Sequence, residues 1–199
     1  MATYTSNHST DSRRIYHIAV AALCCASIAA GAYITIPAGA VPFTLQTMFV
    51  LLTGLILTPG WAAAAVAAYL LMGSIGLPVF SAGSGGFGHL LGPTGGYLWG
   101  FLPAAVAVAA VRRIFRSEQW QSARWKKAGT DLLAAVAGTI IIYAAGVTQL
   151  SLVTGMGPVE AISAGMLPFL IGDAVKLAVA ITCAGLMRPL LLQRGIRFT

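Results

Sequence analysis

Leu132-Leu-Ala-Ala-Val-Ala-Gly-Thr-Ile-Ile-Ile-Tyr143-Ala-Ala-Gly146-Val-Thr-Gln-Leu-Ser-Leu-Val153 runs without a charged side chain. Such a run reads as a bilayer-crossing helix, because about 20 apolar residues rising ~1.5 Å each span a ~30 Å hydrocarbon core. Further long apolar runs lie at Ile15 to Ile36, Tyr97 to Val111 and Ala161 to Leu192, the last longer than its membrane-embedded part. Two shorter runs, Thr44 to Leu57 and Trp61 to Ile75, are separated only by Thr58-Pro59-Gly60, where proline and glycine interrupt a helix. They read as a tight helical hairpin, either two short spans or one re-entrant pair. The pattern predicts an all-α polytopic membrane protein with about six transmembrane helices. Residues 1–14 read as a polar N-terminal tail, 15–192 as a single six-helix membrane domain and 193–199 as a basic C-terminal tail.

Composition agrees. Of 199 residues, 58% are apolar and only 9% charged, and the mean hydropathy is +0.84, values that suit a lipid solvent. The net charge of +7 raises nucleic acid as a partner until the charges are placed. Arg13 and Arg14 precede the first span. Arg112, Arg113, Arg116, Arg124, Lys126 and Lys127 lie between the fourth and fifth, and Arg188, Arg194 and Arg197 end the chain. With an even number of spans these eleven of the twelve basic residues share one side. That side is cytoplasmic by the positive-inside rule, as are both termini. The connections at 37–43, 76–96 and 154–160 then face outward without any Lys or Arg. The basic balance is a topology signal, and no nucleic acid is expected as a partner. Ser12-Arg13-Arg14 with Ala38-Gly39-Ala40 downstream has the outline of a twin-arginine export signal, but its apolar stretch is too long for a signal core.

The twelfth basic residue is inside a span. In Pro168-Phe-Leu-Ile-Gly-Asp173-Ala-Val-Lys176-Leu-Ala-Val-Ala, Asp173 and Lys176 are three apart and share a helix face. A charge at mid-bilayer costs ~2.5–3.5 kcal/mol on insertion scales, so the two face the protein interior. They either neutralise each other as a structural pair or serve a ligand. An ionised Asp only accepts hydrogen bonds and Lys only donates, so the pair suits a ligand with adjacent donors and an acceptor, as on a ureido ring.

The outward connections carry the remaining candidates. Pro37-Ala-Gly-Ala-Val-Pro42-Phe43-Thr44-Leu45-Gln46-Thr47 sends an amide side chain into the next helix. The stretch from Gly76 to Tyr97 is glycine-dense and includes Gly83-Ser84-Gly85-Gly86-Phe87-Gly88-His89 and Gly92-Pro93-Thr94-Gly95-Gly96-Tyr97. A loop of this kind is either a flexible connector or one that presents backbone N–H groups to an anion or closes over a small ligand. In the first span, Ala22-x-x-x-Ala26-x-x-x-Ala30 leaves a smooth strip for close approach of a helix, from another subunit or from the same chain. Cys24, Cys25 and Cys183 read as small packing residues. His8, His17 and His89 are too scattered to suggest a metal site.

Taken together, V-P-F-T-L-Q-T, G-L-P-V-F, G-P-T-G-G-Y-L-x-G-F and P-F-L-x-G-D-x-x-K resemble the BioY family, the biotin-specific substrate-binding subunits of energy-coupling-factor (ECF) vitamin transporters. The likeness runs from about Ala21 to Arg188. It implies a high-affinity S component in a prokaryotic cell membrane that captures biotin from outside, with no cofactor beyond the transported ligand. Its implied partners are a transmembrane coupling protein and cytoplasmic ATP-binding subunits, and the whole subunit reorients to release its ligand inside. The resemblance places the D-x-x-K pair at Asp173 and Lys176 and docking to the coupling protein at Ala22, Ala26 and Ala30. It also puts a ligand cover at Gly83 to Gly96 and brings in Tyr143. In a biotin site Asp173 takes the ureido N–H groups, and Lys176 takes the ureido carbonyl or the tail carboxylate. Gln46 and Thr94 lie nearby, and the tail rests against the amides of Gly85 and Gly86. Phe87, Tyr97 and Tyr143 supply aromatic wall, unless they are interfacial anchors or packing.

The chain is not expected to be an enzyme. None of Lys126, Lys127 and Lys176 follows a glycine, so the Walker Gly-Lys-Ser/Thr is missing. An intramembrane serine protease needs a histidine on a neighbouring helix, and no span after His89 has one. A channel or ATPase-independent carrier, and an S component for another vitamin, are the competing readings.

Overall fold

The computed structural model describes residues 5–37, 39, 41–115 and 124–193, with side chains from Arg14 onward except that of Arg124. Part of the basic pattern, Arg116, Arg194, Arg197 and the side chains of Arg13 and Arg124, lies outside the described residues, as do residues 1–4 and 194–199 of the expected tails. The rest of the N-terminal polar stretch is helical. Helix α1 spans Thr5–Tyr33, beginning well before the apolar run, and it ends short of Ile36. The chain then turns into strand β1 (Thr35–Ile36), which pairs antiparallel with β2 (Phe43–Thr44).

Helices α2 (Gln46–Ile56) and α3 (Pro59–Ser74) follow. Leu57 and Thr58 are extended, and Pro59 opens α3 in the first turn, where its missing N–H breaks no bond. Four segments among the described residues are long and apolar enough to cross a membrane: Arg14–Tyr33, Gly95–Ile114, Trp125–Thr154 and Pro158–Gln193. The sequence suggests about six spans; α2 and α3 are the two that fall short. With 11 and 16 residues they measure about 16 and 24 Å at ~1.5 Å per residue. Both pack against the long helix α5 (Gly95–Ile114), α2 equally against the last long helix, Leu170–Gln193, and α3 also against α1, rather than against each other.

The largest helix interface joins α5 to α6 (Arg124–Thr154). Glycines permit this closeness. A Cβ at Gly96 would lie 2.3 Å from the Ala145 carbonyl oxygen, and one at Gly100 3.0 Å from the Ile142 Cα. The final apolar run is not one helix. It divides into α7 (Pro158–Gly165), a 3-10 turn at Leu167–Phe169 and α8 (Leu170–Gln193). Met166 leaves helical geometry at φ −132°, and Pro168 follows it at the start of the turn, where its missing N–H costs no helical bond.

Polarity is arranged for lipid. Ile171 and Leu152 are 84% and 79% exposed on the outside, while Gln46, Thr53, Asp131, Asp173 and Lys176 are buried, and polar groups in a membrane protein need internal partners. One such cluster ties four helices together at the end of the bundle where α2, α5 and α8 finish and α6 begins. Asp131 Oδ1 is 2.8 Å from Arg112 Nε, and its Oδ2 is 2.6 Å from Arg188 Nη1. Both arginines also donate to the Leu55 carbonyl, Arg188 at 3.2 and 3.3 Å. One of the orphan carbonyls that end α2 is thereby satisfied.

Candidate functional site

At the other end of the bundle a cleft of about 740 Å³ opens between β2, α2, α5, α6 and α8 under the glycine-rich connection. That volume includes the open mouth of the cleft. The break before α8 places Asp173 in the first turn of that helix, where the helix dipole favours a carboxylate. Lys176, one turn on, lies 2.8 Å from Asp173 Oδ1. The Tyr143 hydroxyl of α6 donates to Asp173 Oδ2. Lys176 Nζ also donates to Thr47 Oγ1 at 3.2 Å and sits 3.4 Å from the centroid of the Phe43 ring. Phe43 is held there by the β1–β2 hairpin and by stacking on Phe169, with ring centroids 6.0 Å apart.

The pair therefore faces the cleft with its charges balanced and its geometry imposed from α2, α6 and β2. Each Asp173 oxygen accepts one hydrogen bond from a described residue, and a carboxylate oxygen has two lone-pair sites. Acceptor capacity remains on Asp173, which lines the cleft.

Tyr97, early in α5, lies against Gly146 of α6, where a Cβ would come within 2.3 Å of its ring. Its hydroxyl donates to the Gly165 carbonyl at 2.7 Å, and its ring meets Tyr143 edge-on at 6.4 Å. Gln46 is buried in the wall. Its Oε1 accepts from Thr44 Oγ1 at 3.0 Å, and its Nε2 donates to the Tyr69 hydroxyl, which in turn donates to the Val79 carbonyl at 3.1 Å. The cover is built as carefully. Phe80 fills the space over Gly73, where a Cβ would lie 2.1 Å from its ring, and Gln149 Nε2 holds the carbonyls of Leu90 and Gly92, each at 2.8 Å.

Of the residues expected from sequence, Asp173, Lys176, Gln46, Thr94, Tyr97 and Tyr143 line this one cleft. Gly85, Gly86 and Phe87 do not. The Gly86 N–H is committed to the Gly73 carbonyl at 2.7 Å. Gly85 packs against the Leu77 carbonyl, and the Phe87 ring is 57% exposed on the far face of helix α4 (Phe87–Leu91). His89, two residues further on, lines the cleft instead. Phe43, Thr47 and Phe169 also line the cleft, and of these Phe43 and Thr47 belong to the V-P-F-T-L-Q-T motif. Ala22, Ala26 and Ala30 are all exposed, while Ala21, Cys24, Cys25, Ile28 and Ala32 form the packed face of α1.

A helical bundle with a lipid-type surface and, at one end, a mainly apolar cleft carrying a few polar groups defines a membrane protein built to hold a small solute. Known proteins narrow the class. The BioY family model matches residues 5–193. A biotin transporter BioY of Thermotoga maritima is 41% identical over 169 residues, covering 85% of this chain and 94% of that protein. Another, of Rhodobacter capsulatus, is 38% identical over 182 residues, covering 84% and 92%. The crystal structure of an S-component for biotin from an ECF-type ABC transporter superposes with a TM-score of 0.78 at 25% identity, covering 94% of this chain and 95% of that one. The chain belongs to the BioY family.

Proposed function

We propose that this chain is the biotin-binding S component of an ECF-type uptake transporter, taking biotin from the outer side of a prokaryotic cell membrane and passing it inward. The observation that carries this reading is the Asp173–Lys176 pair, balanced by Tyr143 and Thr47 at the floor of a mainly apolar cleft. Asp173 accepts from the ureido N–H groups, and Lys176 donates to the ureido carbonyl, since the two charged groups are as close together as the edge they read. The thioether ring lies against Phe43, Tyr97 and Tyr143. Relatives named as biotin transporters support the substrate.

The reading includes about six crossings, α2 and α3 being short ones, with both termini cytoplasmic. Support comes from Arg112 and Arg188, which gather at the end opposite the cleft. The energy comes from partners, a transmembrane coupling protein docking on Ala22, Ala26 and Ala30 and cytoplasmic ATP-binding subunits, because this sequence lacks a Walker motif.

Asp173→Asn tests the assignment. Equilibrium titration of the purified chain should show biotin binding weakened by ~1–3 kcal/mol, the cost of losing a charged acceptor and leaving Lys176 poorly paired. Wild-type affinity in the variant would overturn it.

A further inference from the structure

The cleft has two ends of different chemistry. At the floor, Lys176 already serves Asp173, Thr47 and the Phe43 ring. If the ureido edge occupies that floor, the carboxylate at the far end of biotin's tail needs another partner under the cover. The side chains there are Ser81, Thr94 and His89. Besides Asp173 and Lys176, His89 is the one cleft-lining side chain among the described residues that takes a charge near neutral pH.

The surroundings of His89 decide its protonation chemistry. Its ring stacks on the buried Phe80, with centroids 5.5 Å apart, and its Nε2 lies 3.5 Å from Ser84 Oγ. The Ser84 hydroxyl donates its proton to the Ser81 carbonyl at 2.7 Å, so toward the imidazole it acts as an acceptor. The hydrogen is then on Nε2, and neutral His89 has a lone pair at Nδ1. A carboxylate is repelled by that lone pair and attracted once Nδ1 is protonated.

We propose that His89 is the tail-carboxylate residue of the cleft and that it binds the carboxylate as an imidazolium, with uptake of a proton at Nδ1. The inference rests on the biotin reading of the floor. The groups that face His89 leave it the sole proton-linked partner of the tail. Ser81 and Ser84 come from the cover, Thr94 and Tyr97 from the start of α5, and Tyr69 from α3 behind Phe80. Across the cleft stand Tyr143 of α6 and the mutually neutralised Asp173 and Lys176 of α8. Burial lowers the His89 pKa below its ordinary value in the empty cleft, and a bound carboxylate raises it. Affinity is therefore highest below the free-state pKa and falls as pH rises through the bound-state pKa.

The test compares biotin with its carboxamide, which keeps the ureido edge and removes the anion. Both are titrated into the detergent-purified chain at about pH 5.5 and about pH 8.5, either side of the ordinary imidazole range and above that of an aliphatic carboxylic acid. Wild type should bind biotin roughly tenfold more weakly at the higher pH, with the carboxamide unchanged. His89→Gln should bind both ligands without pH dependence. Equal pH profiles for biotin and carboxamide in wild type, or a wild-type profile in His89→Gln, overturn the role of His89 while leaving the floor assignment standing. Failure of wild type to bind either ligand overturns the floor assignment and this inference with it.

Discussion

Asp131 and Asp173 are both buried carboxylates on long helices, yet they are set up for different work. Asp131 is gripped from two directions by Arg112 and Arg188, and both arginines also donate to the Leu55 carbonyl, so its oxygens face protein. Asp173 has one lysine and one tyrosine, and the rest of its environment is the cleft. Removing one member of a buried ion cluster costs about 3–5 kcal/mol, because the remaining charge stays buried without its partner. Asp131→Ala should accordingly lower the Tm of the chain in detergent by many degrees, while biotin affinity per folded molecule stays at the wild-type level. An unchanged Tm would show that the cluster does not bind the four helices together. Only part of this residue-level detail can be read from the sequence. Asp173 stands out there as a charge inside an apolar run, with Lys176 at helical spacing. Asp131 does not, because it borders a basic stretch and its partner Arg188 is 57 positions away; Arg112 and Arg188 read as topology signals until the fold brings them inward.

The helices show where periodicity informs and where it stops. On α1, spacing alone leaves Ala22, Ala26 and Ala30 open to packing within the chain or with a partner. In the fold, Cys24, Cys25 and Ile28 take the inner face and leave the three alanines outside. A strip of small residues with no helix among the described residues upon it suits close approach of a partner helix. Ala26→Trp should therefore leave biotin binding by the isolated chain at its wild-type level and abolish co-purification with the coupling protein, read from a pull-down of the co-expressed complex. Undiminished co-purification would move the docking face elsewhere. On α8, the long apolar run concealed a break. Pro168 marks it, but not the consequence, Asp173 in a new first turn, nor that the Gly165 carbonyl before the break accepts the Tyr97 hydroxyl 68 residues away. In the cover, the glycine pattern pointed to Gly85, Gly86 and Phe87. The Gly86 amide is instead spent within the loop on Gly73, and the turn of α4 presents His89 to the cleft and Phe87 away from it.

For the whole molecule, the run from Leu132 to Val153 and the other long apolar runs suffice for the class of fold, since lipid demands long apolar helices. The number of full-length helices was less legible. Length alone does not say whether α2 and α3 cross, and both are held by α1 and α5, partners that periodicity does not name. The fold separates its two polar centres, an arginine cluster locking one end and an acid–base pair open to a cleft at the other. In the proposed function, the cleft end holds the solute. Equilibrium binding to the purified wild-type chain, with biotin competed against riboflavin and thiamine, tests this most directly. Micromolar or tighter binding of biotin that neither other vitamin displaces is expected; absence of biotin binding, or displacement by riboflavin or thiamine at equal concentration, would contradict a biotin-specific site.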